Sequence, residues 1–76
     1  MSVATDYFDE ILRASDVSDR DGIGMEFYKD GQLIIEIFRD DTLRTRTVSN
    51  YKKDLPLEVL EDCIKIFKER IDWDYI

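Results

Sequence analysis

The chain has 76 residues, with 18 carboxylates against 11 cations, a formal net charge of −7, one cysteine and no histidine. Such acidity keeps a small protein soluble and disfavours non-specific association with nucleic acid or anionic membrane. Without histidine there is no triad, no thiol–imidazole pair and no zinc set, and one cysteine excludes an internal disulfide.

Residues 1–76 are expected to form one domain, since 43% of the chain is apolar and the length suits a single core. A chain this short buries only about 60% of the surface its unfolded form exposes, so its stability margin is thin. No apolar run approaches the ~20 residues of a membrane span, and the N-terminus lacks a basic-then-apolar leader. A cytoplasmic location is expected, with no membrane partner.

Val3 to Ala14 places Ala4, Tyr7, Phe8, Ile11 and Leu12 at helical spacing, with Ser2 or Thr5 to cap its start. This predicts a short amphipathic helix that depends on docking against a sheet. The polar run Asp16 to Gly22 follows as a helix-to-strand loop. Asp19, Asp21 and Gly22 carry part of the spacing of a calcium loop, but Val17 and Tyr28 stand where oxygen ligands are needed, so no metal site is expected.

Ile23 to Val48 contains three segments rich in β-branched and aromatic residues, separated by Lys29-Asp30-Gly31 and Arg39-Asp40-Asp41. They predict a three-stranded antiparallel meander. A three-residue loop at Lys29–Gly31 pairs Phe27 with Leu33, Met25 with Ile35 and Ile23 with Ile37, collecting six apolar side chains on one face. A two-residue Asp30-Gly31 turn mixes core and solvent residues and is disfavoured. With Asp40, Asp41 and Thr42 as the second loop, Ile37 faces Thr45, Ile35 faces Thr47, and Glu36 meets Arg46. The outer face then carries Glu26, Tyr28, Ile34, Glu36, Phe38, Arg44, Arg46 and Val48. It reads as an interface or as a surface covered by the N-terminal helix.

Pro56 is expected in the first turn of a second helix, with Asp54 as its cap. Leu57, Leu60, Ile64, Phe67 and Ile71 form its central stripe, flanked by Val59, Cys63 and Ile66. Cys63 in that stripe reads as a packing residue. The terminus from Ile71 to Ile76 holds Trp73 and Tyr75, which either pack back on the domain or anchor a partner.

The fold class is therefore α+β, in the order α-β-β-β-α, with no cofactor and no enzymatic activity expected. The leading functional expectation is a small acidic protein that binds another protein and blocks a basic surface on it. In size, acidity and lack of catalytic groups the chain is similar to the broad class of bacterial immunity and inhibitor proteins, a likeness of layout that no residue motif carries. Its candidate partner-binding residues are Tyr28, Ile34, Glu36, Phe38, Arg44, Arg46, Trp73 and Tyr75. An alternative is a structural or regulatory homodimer joined through the outer sheet face. A third is a single-stranded nucleic-acid binder using Arg44, Arg46, Tyr51, Lys52 and Lys53, where cations surround an aromatic side chain.

Overall fold

Four strands form where three were predicted. The computed structural model describes residues 3–76, an α+β arrangement of one antiparallel sheet, in the order β1-β2-β3-β4, and two helices. Helix α1 is Val3–Tyr7, β1 is Glu10–Asp16, β2 is Gly22–Lys29, β3 is Gln32–Asp40, β4 is Thr45–Asn50 and α2 is Leu57–Arg70. No helix among the described residues is long and apolar enough to cross a membrane.

The extra strand comes out of the predicted first helix. That helix stops after Tyr7, and the chain returns as β1, pairing from Glu10 opposite Tyr28 to Asp16 opposite Gly22. Ala4 and Phe8 keep their helical spacing and enter the core, whereas Ile11 and Leu12 fall on opposite faces of the sheet. Tertiary demand decides between the two periods. Strand β2 carries the buried Met25 and Phe27, and a helix in place of β1 would leave its second row of N–H and C=O groups without partners. The Ser2 cap lies outside the described residues, and Thr5 sits within α1. Helix α1 shares the α2 side of the sheet: the Ala4 N–H donates to Asp62 Oδ2 at 2.8 Å, and Phe8 meets Phe27 with ring centroids 5.4 Å apart. It does not cover the outer face.

Both hairpin registers differ from those predicted. The first turn has two residues, Asp30 at φ 52° and Gly31 at φ 78°, with Lys29 opposite Gln32 and Tyr28 opposite Leu33. Two positive φ values suit the right-handed twist of the flanking strands. A bulge beyond Leu33 then restores the apolar register, so that Phe27 faces Ile35 and Met25 faces Ile37. Ile34 is the inserted residue. It turns into the core with Ile35, and its carbonyl accepts the Tyr51 N–H at 2.8 Å. In the second hairpin Phe38 faces Thr47 and Ile37 faces Val48, three positions from the predicted pairing. An odd shift exchanges the faces of β4. Thr45, Thr47 and Ser49 therefore line the outer face, and Arg46 and Val48 line the helix side.

Helix α2 starts at Leu57 with Pro56 as its N-cap and no side-chain cap bond, so neither the first-turn position of Pro56 nor the Asp54 cap holds. Its buried residues are Val59, Cys63, Ile66 and Phe67, followed by Ile71 beyond its end. The buried face is rotated from the predicted stripe toward the Asp62 side that meets α1, so Leu60 and Ile64 are only partly buried and Leu57 is exposed. The helix packs over β2 and β3, which leaves Val48 of β4 exposed on that side.

Gly31→Val is expected to destabilise by about 1 kcal/mol or more, because a β-branched residue resists φ 78° although a Cβ there would meet nothing within 4 Å. Gly31→Asn, which tolerates that angle, is expected to shift the chemical-denaturation midpoint much less. Equal midpoints for the two variants would contradict the role given to the turn.

Candidate protein-contact surface

Strand β3 is buried from Ile34 to Asp40, yet it carries Glu36, Arg39 and Asp40. Each of the three charges draws a loop or the chain terminus onto the sheet. On the outer face, Arg20 from the β1–β2 loop reaches Glu36 through both terminal nitrogens, at 2.9 and 3.0 Å, and Asp16 through Nε at 3.2 Å. Its guanidinium lies 3.9 Å above the Phe38 ring. Phe38 stands opposite Gly24 and is only 3% exposed under this cap. Asp40 accepts the N–H groups of Thr42 and Leu43 at 3.0 and 2.9 Å and so fixes the β3–β4 loop.

On the helix side Arg39 pairs with Asp41 at 2.8 Å and donates to the Asp72 carbonyl at 2.6 Å. The aromatic terminus packs back on the domain from there. Arg46 donates to the Trp73 carbonyl at 2.9 Å from Nε and to the Tyr75 hydroxyl at 3.0 Å. Its guanidinium is 3.8 Å from the Trp73 centroid and 4.2 Å from that of Tyr75, and Arg44 lies 4.6 Å from the Tyr75 ring. Trp73 remains 49% exposed although Lys68 Nζ also lies 5.3 Å from its centroid.

The predicted partner residues thus fall into three places. Tyr28, Glu36 and Phe38 share the outer face, with the Tyr28 hydroxyl bonded to Glu26 at 2.9 Å. Ile34 belongs to the core. Arg44, Arg46, Trp73 and Tyr75 form a cluster on the opposite side, at the β4 edge. The predicted Glu36–Arg46 pair is absent, because Glu36 faces Ser49 and is neutralised by Arg20. The nucleic-acid set is also divided. Arg44 and Arg46 lie at one end of β4 and Tyr51, Lys52 and Lys53 at the other, about 20 Å away at ~3.3 Å per strand residue. Arg20, Arg39 and Asp41, which hold this arrangement, went unread in the sequence. The signal was Glu36 standing inside the apolar run Leu33–Phe38, a buried charge that requires a partner.

Charge is segregated across the sheet. Nine carboxylates and three cations lie in residues 1–38, against nine and eight in residues 39–76. On the β1 side Asp6, Glu10, Asp19 and Asp30 are exposed, and none is within ion-pair distance of a described cation. Unpaired lysines, Lys52 and Lys53, lie exposed just beyond β4. Two open clefts of about 470 and 440 Å³ flank the β1–β2 loop, the first lined by Arg39, Asp41 and Asp72, the second by Arg20, Phe38 and Leu43. Cys63 lies beneath α2, where burial, then the charge of Asp62, pushes its thiol up to about 12. It is an inert packing residue at neutral pH.

No protein-family model matches the chain, and comparison with curated proteins and with solved structures gives no match.

Two carboxylates tie the loops to the sheet and sit below the usual range. Asp16 is lowered by the Ser18 backbone N–H and then by Arg20; for Asp41, burial raises the value but the bonds from Arg39 and the Ile76 N–H outweigh it. A depressed folded value adds stability above the unfolded value of about 3.9 and loses it as pH falls through the folded one. Asp41→Asn is expected to lower the thermal midpoint at pH 7 and to make the remaining loss below about pH 4 shallower than in the wild type. An acid profile parallel to the wild type would show that this carboxylate contributes nothing.

Arg46→Gln is expected to free the only tryptophan of the chain. Acrylamide quenching of Trp73 should rise, while far-ultraviolet circular dichroism stays unchanged. Unaltered quenching would mean that the tail is held by its other contacts, to Arg39, Asp41, Arg44 and Lys68.

Proposed function

We propose that this chain is a non-catalytic binding module that docks a cationic protein surface against its β1 side, in the manner of an inhibitor or immunity protein. One observation carries the reading: the exposed carboxylates Asp6, Glu10 and Asp19 of α1, β1 and the β1–β2 loop have no ion-pair partner, whereas the buried charges of the sheet are each satisfied, Glu36 by Arg20, Arg39 by Asp41 and Asp40 by backbone N–H groups. Unpaired surface charge of one sign steers encounter with the opposite sign and suppresses wrong partners. Most of the arginines serve the fold or stack on aromatic rings, so the acidic wall is not offset from within. The absence of histidine and the packing role of Cys63 also support a function without covalent chemistry.

The test compares the wild type with two neutralised variants, Glu10→Gln/Asp19→Asn on the acidic side and Lys52→Gln/Lys53→Gln beyond β4. Each is immobilised and exposed to native lysate. A basic protein is expected on the wild type and on the lysine variant, and is expected to be lost from the carboxylate variant. It should elute by about 0.5 M salt, where the screening length falls to roughly 4 Å. Retention that is equal on all three, or no retention on any, would overturn the proposal.

A further inference from the structure

The two edges of the sheet are unlike, and their charges are complementary. Strands β1 and β4 each leave one row of backbone N–H and C=O groups without a sheet partner, since the order is β1-β2-β3-β4. Such edges are templates for a further strand. Three successive antiparallel pairings make β1 and β4 run in opposite directions. A second copy in the same orientation therefore continues the sheet as an antiparallel ladder, with its helices on the same side.

We propose that copies of this chain associate head to tail, β1 of one copy pairing with β4 of the next. The register is set by the levels already present in the sheet. Asp16 is level with Gly22, Asp40 and Thr45, and Glu10 is level with Tyr28 and Leu33, beside the Tyr51 that bonds Ile34. With Asp16 beside Thr45, Glu10 comes beside Tyr51 and next to Lys52, and Asp16, already held by Arg20, comes near the loop residue Arg44. The Glu10 end of the added pair then brings an unpaired carboxylate to an unpaired lysine. In the middle, Arg13 lies against the exposed Val48 and covers it with its aliphatic stem.

Charge also decides against symmetric pairing. Two β1 edges related by a two-fold at Arg13 set Glu10 against Asp16, and two β4 edges related at Val48 set Arg44 against Lys52. Like charges directly opposite destabilise a strand pair. A head-to-tail contact through unlike patches does not close on itself at two copies. This inference rests on the two edges alone and not on the acidic-partner reading, which concerns a different protein.

The experiment is sedimentation velocity on the purified full chain across a concentration series at neutral pH. Weight-average mass is expected to rise with concentration beyond that of a dimer. Glu10→Lys and Lys52→Glu, both at exposed positions, are each expected to weaken association roughly tenfold. Mixed in equal amounts, the two variants should recover it, because every contact between unlike variants again joins a lysine to a glutamate. The conservative Glu10→Gln and Lys52→Gln should fall between. A monomer at every concentration, a closed dimer indifferent to either swap, strengthening by Glu10→Lys alone, or failure of the mixture to recover association would each overturn the proposal.

Discussion

Strand β3 must bury seven consecutive residues, three of them charged, and the rest of the structure follows from how those charges are satisfied. Burying an ionised side chain without a partner costs far more than a small domain can lose. Glu36 stands opposite Glu26, and Arg39 stands opposite Arg46. Either like-charge pair would destabilise the ladder if left alone. Arg20 resolves the first by folding the β1–β2 loop over the outer face. The second is resolved by Asp41 and by the carbonyls of Asp72 and Trp73, which draw in the terminus. No buried side-chain polar atom among the described residues lacks a hydrogen-bond partner. Loops and tail are thus drawn onto the sheet by its charges, and they also bond one another: the Asp41 N–H donates to the Asp21 carbonyl at 2.7 Å and the Ile76 N–H to Asp41 Oδ1 at 3.2 Å.

The parts of the fold legible in the sequence are those with a strong local signal. The α+β class, strands β2 and β3, the left-handed Gly31 and the long second helix all follow from period and turn chemistry. Strand β1 was hidden because Ala4, Phe8, Ile11 and Leu12 fit one helical stripe, and no Gly or Pro marks the break after Tyr7. Its existence depends on the open edge of β2, which only the assembled sheet reveals. The bulge was hidden for a related reason. Requiring one uniform register made the favoured Asp30-Gly31 turn look incompatible with the apolar pattern, whereas inserting Ile34 satisfies both.

The candidate surface was less legible than the fold. Trp73 and Tyr75 were recognised as a pair with two possible fates, and Arg46 decides between them by taking a carbonyl, a hydroxyl and both rings. That contact exists only because a four-residue second loop, Asp41–Arg44, turns Arg46 to the helix side. A three-residue loop would have put it on the outer face beside Glu36. One residue of loop length, together with the pairing it sets, therefore relocates two of the eight predicted partner residues, Arg44 and Arg46. Local charge counts could not reveal this, since Arg46 has oppositely charged or aromatic neighbours available on either face.

The Arg20 cap also explains how so short a chain closes the second face of its sheet. A second apolar layer would need another helix, with residues the domain does not have. A single arginine lies on Phe38 with its planar face and meets Glu36 with its edge, two uses that lysine cannot combine. Its side chain stays 38% exposed, so desolvation is only partial and the outer surface remains polar. Replacing a buried ion pair by apolar residues of equal volume is often neutral or stabilising for an isolated fold. Here it would also leave an apolar patch between two open sheet edges, the arrangement most prone to uncontrolled strand addition. The ion pair is therefore better understood as a constraint on association than as a source of stability. In the proposed association, contact falls to the edges, where β1 carries Glu10 and the ends of β4 are basic, and the broad outer face takes no part in it.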